Sequence, residues 1–291
     1  MRDTQIYNVA GHRFSVSADD ALLEKLSQYA PFEEAAAGTA AEGLVFTLQV
    51  MEGDAFPAVE LTEDFNQDDD GSQIVAGRAA DGRSYFEFLL FGRRSGRMLA
   101  SDNREAELWL DANWLFGLNN ALMVMYTLST ACLHTALFHS SVISYEGRGY
   151  MFLGKSGTGK STHSSLWLKH IGGTELMNDD NPVVRVFDDG RVIVYGSPWS
   201  GKTPCYRNVS LPLGGLVLLS QALYNKIKRV RGIQAYAALV PSISGKRWDA
   251  RQAEGLHETE DLLAQLVGVW QLECLPDEAA AHLCCEAITH E

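Results

Sequence analysis

Nine residues in this 291-residue chain, GKSGTGKST at 154–162, have the types and spacing to hold a phosphate group. They fit the pattern G-x-x-x-x-G-K-[ST]. Gly154, Gly157 and Gly159 remove side chains, so the backbone N–H groups of the loop, including those of Ser156 and Thr158, can converge on phosphate oxygens. Lys160 supplies a point charge to β- and γ-phosphates, and Ser161 offers a hydroxyl to a magnesium ion with Thr162 close by. A helix that starts near Lys160 adds its positive N-terminal end. These residues predict a nucleoside triphosphate with Mg2+; they do not choose between ATP and GTP.

A second chemical group follows. Asp179 and Asp180 lie only 19 and 20 positions after Lys160. A helix of about ten residues spans roughly 15 Å, and the return through IGGTELM is long enough to bring the pair back beside the phosphates. One carboxylate could hold magnesium and the other accept a proton from an attacking hydroxyl.

The elements that must position these groups are readable. SVISY-EGRG-YMFL reads as a hairpin whose second strand enters the loop, and KSTHSSLWLKH as the helix leaving it. PVVRVF-DDG-RVIVYG reads as another hairpin. Short turns of this kind join antiparallel strands, whereas parallel pairing needs a crossover of a dozen residues or more. The expected class is therefore α/β (α+β), a mixed, largely antiparallel sheet around a P-loop. This domain is expected over 111–291, opening with a helix over about 112–138 and closing with a strand, a turn at PDE and an amphipathic helix. Residues 1–110 read as a small N-terminal mixed α/β domain. It has a hairpin in QIYNVAGHRFSVSA, a helix in DDALLEKLSQYA capped by Asp19 or Asp20, a strand in GLVFTLQVM, a loop at NQDDDGS, and further strands separated by ADG and RRSG turns.

With these residues in place, FHSSVISYEGRGYMFLGKSGTGKST followed by MNDDNPVV resembles the nucleotide core shared by HPr serine kinase/phosphorylase and phosphoenolpyruvate carboxykinase. The resemblance covers roughly residues 135–205. It implies that His139 faces the phosphate region, that Lys160 is the loop lysine and Ser161 the metal-binding hydroxyl. It implies that Asp179 is the general base and that Asp180 stands near the metal. Carboxykinases are much longer, and the glycine-rich glutamate motif of HPr kinases has no counterpart here. YGSPWSGKTPCYRN, residues 195–208, takes its place and resembles the post-core loop of the wider HPr-kinase-like group. Ser200, Gly201 and Lys202 of that loop are expected at the nucleotide or the acceptor, and Trp199 as an apolar anchor.

The rest of the chain excludes more than it adds. A net charge of −13 leaves no broadly basic face, so neither nucleic acid nor an anionic membrane is an expected partner. The N-terminal MRDTQIYNVAGHRF has no apolar h-region, so no signal peptide is expected. The apolar run 115–138 carries Asn119, Asn120 and His134 and reads as buried helix rather than membrane span. Five scattered cysteines fit neither a disulfide framework nor a zinc site, so reduced thiols in the cytoplasm are expected, Cys205 among them as a structural thiol. DDDG lacks the alternating ligands and the glutamate of a calcium loop. NKIKRVRG reads as solvated charge in a helix or loop, and His163 as a packed or surface histidine.

The expected function is an ATP-dependent, magnesium-requiring kinase that transfers the γ-phosphoryl group to a hydroxyl. The acceptor is a serine of a peptide or small protein, or a small molecule. In this expectation Asp179, His139 and Lys160 are catalytic, and Ser161 and Asp180 hold the metal. The alternatives are a regulatory protein that binds nucleotide with slow or no turnover and, ranked lower, a carboxykinase-like lyase. A homo-oligomer is compatible with the sequence.

Overall fold

The computed structural model describes residues 2–34, 43–53, 56–69, 71–201 and 203–290. They form two compact units, Met1–Ser129 and Thr130–Glu291. Among the described residues, no helix is long and apolar enough to cross a membrane.

The first unit is built on a nine-stranded sheet. Its strands are β1 (Arg2–Val9), β2 (His12–Asp19), β3 (Glu33–Glu34), β4 (Leu44–Val50), β5 (Leu61–Asp69), β6 (Ser72–Ala79), β7 (Ser84–Leu90), β8 (Arg93–Ser101) and β9 (Glu105–Leu110), in the order β3-β1-β2-β4-β9-β8-β7-β6-β5. The expected first hairpin turns at Ala10–Gly11, both at positive φ. The helix expected after it is a single turn, α1 (Asp20–Leu23), capped by Asp19, whose carboxylate accepts from the N–H of Ala21. Against the sheet core of Tyr7, Phe14 and Phe46 lies α2 (Trp114–Thr130), where Tyr126 Oη donates to the Val9 carbonyl at 3.1 Å.

Further local expectations change. Residues 66–69 of the NQDDDGS loop belong to β5, paired from Asn66↔Val75 to Asp69↔Ser72, because β6 supplies a partner for their backbone. RRSG lies inside β8, and the turn falls instead at Phe91–Gly92, where both residues adopt positive φ. The helix expected over 112–138 stops at Thr130. His134 turns the chain at φ 48°, and Thr135–Leu137 becomes a strand. An apolar run does not by itself distinguish buried helix from buried strand.

The second unit carries β10 (Thr135–Leu137), β11 (Ser140–Tyr145), β12 (Arg148–Leu153), α3 (Lys160–His170), β13 (Glu175–Asp180), β14 (Val183–Val186), β15 (Val192–Tyr195), β16 (Ser210–Gln221), β17 (Lys226–Val230), α4 (Ile233–Leu239), α5 (Ala250–Leu266), β18 (Val269–Cys274) and α6 (Glu278–Thr289). Its main strand order is β10-β14-β15-β16-β12-β11-β13, with β18 on β16 and β17 on β18. The pairs β12–β16 and β16–β18 are parallel and the others antiparallel. This is the mixed, largely antiparallel arrangement expected. Within the basic run NKIKRVRG, Lys226–Val230 form β17, a strand rather than a helix or loop.

Both faces of this sheet are covered, and strand alternation sorts its residues between them. Val142, Met151 and Leu216 join Leu239, Leu256 and Leu263 on one face. Their neighbours Ile143, Phe152 and Val217 join Trp167, Cys284 and Ile288 on the other. Trp167 is fully buried at the centre of the second cluster, against Phe152 and Tyr150. Trp167→Ala is expected to lower unfolding free energy by about 3–5 kcal/mol, seen as a lower urea midpoint in denaturation followed by circular dichroism.

Candidate functional site

Strand β12 ends at Leu153 and α3 begins at Lys160, so the glycine-rich loop bridges a buried strand and a helix N-terminus. Gly154, Gly157 and Gly159 all have positive φ. At Gly154 a Cβ would lie 2.5 Å from Thr158 Oγ1, so the loop closes on itself only because that position has no side chain. Thr158 Oγ1 in turn donates to the Lys155 carbonyl at 2.8 Å. Lys155, Ser156 and Gly157 are exposed, and Thr158 and Gly159 are half-buried.

Lys160 lies beneath this rim, 9% exposed, with Nζ donating to the carbonyls of Gly154 at 2.9 Å and Lys155 at 3.3 Å. Ser161 and Thr162, the first residues of the helix after it, are exposed. One turn on, His163 is buried; burial pushes its imidazole down to about 4, so it is neutral near pH 7. Its Nε2 accepts from Trp167 Nε1 at 3.2 Å. His163 is therefore a packed residue that anchors α3.

Sheet register brings the acidic pair to the loop. Ser140 pairs with Leu153 on one side of β11 and with Asp180 on the other, and Ser141 pairs with Asp179. Ser161 Oγ donates to Asp179 Oδ1 at 3.0 Å, and Asp179 is buried. His139, the residue before β11, puts Nδ1 3.7 Å from Asp180 Oδ1. Ser161 is thus coupled to Asp179, and His139 to Asp180. Burial raises the Asp180 carboxyl above its ordinary range; His139 pulls it back and Asp179 adds to the rise.

Asp180 has φ 125°, a conformation rarely adopted by L residues and found where surrounding structure imposes it. That structure is visible. Asn181 Nδ2 donates to Asp180 Oδ2 at 2.8 Å. The loop after β15 closes over the pair, with Gly201 N–H and Ser200 Oγ both donating to the Asp179 carbonyl, at 2.7 and 3.0 Å. A Cβ at Gly201 would lie 3.0 Å from Asp180 Cβ, a tight contact that would require Asp180 to shift. Trp199 is buried, as an anchor should be. Lys202, expected at the nucleotide, lies outside the described residues. Cys205 is buried with Sγ 3.4 Å from the Met177 carbonyl, and burial pushes its thiol up, which suits a structural role.

A further segment reaches the site without a sequence signal. The N–H of His139 donates to the Ser242 carbonyl at 2.7 Å, and the N–H of Ser244 donates to the Leu137 carbonyl at 2.9 Å. Residues 242–244 therefore fix the backbone that carries His139. Nothing local in VPSISGK marks them, because the contact is set by long-range pairing across Phe138 and Ile243.

A hydroxyl and a carboxylate joined by a hydrogen bond form a hard oxygen donor pair. Magnesium is commonly bound through one or two carboxylates and substrate phosphates rather than by an all-protein cage. Ser161 and Asp179 fit such an ion.

No family model matches the chain, and no curated protein matches it. Among solved structures, the HPr(Ser) kinase/phosphatase from Coxiella burnetii is matched at 10% identity over 51% of this chain and 90% of that chain, with a TM-score of 0.29. A likeness at that level carries no conclusion about activity.

Proposed function

We propose that the second unit is an ATP-dependent phosphotransferase whose acceptor is a hydroxyl. The observation that supports this reading is the β11–β13 register, which sets two carboxylates and His139 beside the glycine-rich loop, whose following serine contacts one of them.

Each residue has a part that follows from its neighbours. The loop amides and Lys160 bind the triphosphate. Ser161 and Asp179 would hold magnesium, which when bound neutralises charge on the phosphates. Asp180, free of the Ser161 bond and oriented by His139 and Asn181, accepts the proton of the attacking hydroxyl. The acceptor oxygen forms a bond to the γ-phosphorus, the bond from that phosphorus to the β–γ bridging oxygen breaks, and ADP leaves. This reading exchanges the roles that the resemblance implied for Asp179 and Asp180. Rate enhancement comes mainly from positioning and charge neutralisation.

Incubation with ATP labelled at the γ-phosphate, magnesium and a cell lysate tests the reaction class. The expected product carries label in an acid-stable phosphoester. Acid-labile label would place the phosphoryl group on nitrogen or a carboxylate and overturn the hydroxyl assignment.

A further inference from the structure

The carboxylates lie on one side of the loop strand, and the opposite side has a different character. Across β11 stand Asp179 and Asp180; on the other flank β12 pairs in parallel with β16, and β16 with β18. A triphosphate held by the loop with its reacting end toward the carboxylates has the C-terminal ends of β16 and β18 on its other side.

The end of β16 meets the loop directly. The last residue of β16, Gln221, donates from Nε2 to the Gly157 carbonyl at 3.1 Å. The turn that follows is clamped at its far end by Asn225. Its Nδ2 donates to Asp277 Oδ1 at 2.9 Å, and its Oδ1 accepts from the Leu275 N–H at 2.8 Å. Between the clamps, Leu223 is 92% exposed and Tyr224 53% exposed. Leu223 is the most exposed of the large apolar side chains among the described residues. Tyr224 stands three residues from the loop contact, within about 10 Å of chain. A rigid turn that presents an aliphatic and an aromatic side chain to solvent beside a phosphate cradle matches a flat apolar ligand group. Such turns cost a ligand little ordering.

We propose that Leu223 and Tyr224 form the platform for the base of the bound nucleotide, with Gln221 fixing the platform to the loop. This rests on the triphosphate-binding reading above. Stacking on an aromatic side chain tolerates any base, since each has a π face.

Titration calorimetry of the full chain with magnesium–ATP and with inorganic tripolyphosphate tests the platform separately from the cradle. Tyr224→Ala is expected to weaken ATP binding roughly tenfold and to leave tripolyphosphate binding unchanged, whereas Tyr224→Phe keeps wild-type ATP affinity. Equal effects of Tyr224→Ala on the two ligands, or no effect on ATP, would overturn the platform while leaving the cradle intact. A wild-type protein that binds neither ligand would overturn both readings.

Discussion

Lys160→Ala is expected to reduce phosphoryl transfer by at least about 10²-fold, the loss associated with removing one preorganised donor from a site of developing charge. The lysine is buried below the loop rim, with its ammonium held by two loop carbonyls. In that setting its charge is poorly screened by water, so on a bound triphosphate it would act on the phosphate oxygens far more strongly than an exposed lysine would. The neighbouring Lys155 is exposed on the loop rim rather than buried beneath it. Both ATP affinity and turnover should fall, and kcat/KM should therefore fall more than kcat. Lys160→Met keeps most of the aliphatic stem and should show the same loss, which separates charge from packing. Initial rates of ADP formation and calorimetric Kd values measure the two effects.

Asp180→Asn is expected to slow transfer by about 10²–10⁴-fold, the contribution of a positioned proton acceptor, with ATP affinity little changed. The amide has the carboxylate's shape, and its oxygen can still accept from Asn181, so the imposed backbone at φ 125° should survive. Asp179→Asn should behave differently. It removes the charge that Ser161 contacts, so a higher magnesium concentration should be needed for half-maximal ATP binding. If instead Asp179→Asn stops transfer with unchanged magnesium dependence, and Asp180→Asn raises the magnesium requirement, the roles stand as the resemblance first implied. Magnesium titrations of ATP binding beside single-turnover rates distinguish the two assignments.

Much of this site was legible in order but not in register. The loop, the strand before it and the helix after it follow from local signals: glycines where positive φ is needed, an apolar strand, and a run without glycine or proline that becomes α3. Both short-turn hairpins were legible for the same reason. That Ser161 meets Asp179 and His139 meets Asp180 was not, because a one-residue slip of β13 against β11 would exchange faces. The bulge between Val142 and Ile143 sets that register and has no local signature. Residues 242–244 behind His139 and the parallel β12–β16 pairing were hidden likewise, since both join segments far apart in the chain. In the first unit, hydrophilic residues 66–69 read as loop because their polarity outweighed pattern, yet a hairpin partner makes them strand.

The measurement closest to the central claim is the stoichiometry of one reaction: wild-type protein, magnesium, ATP and the acceptor fraction that takes up label, with ADP, phosphoester and inorganic phosphate quantified together by 31P NMR. The expected result is one phosphoester formed for each ADP, with little inorganic phosphate. ADP matched by inorganic phosphate instead, or no ADP at all, would contradict a phosphotransferase built on this loop and its two carboxylates.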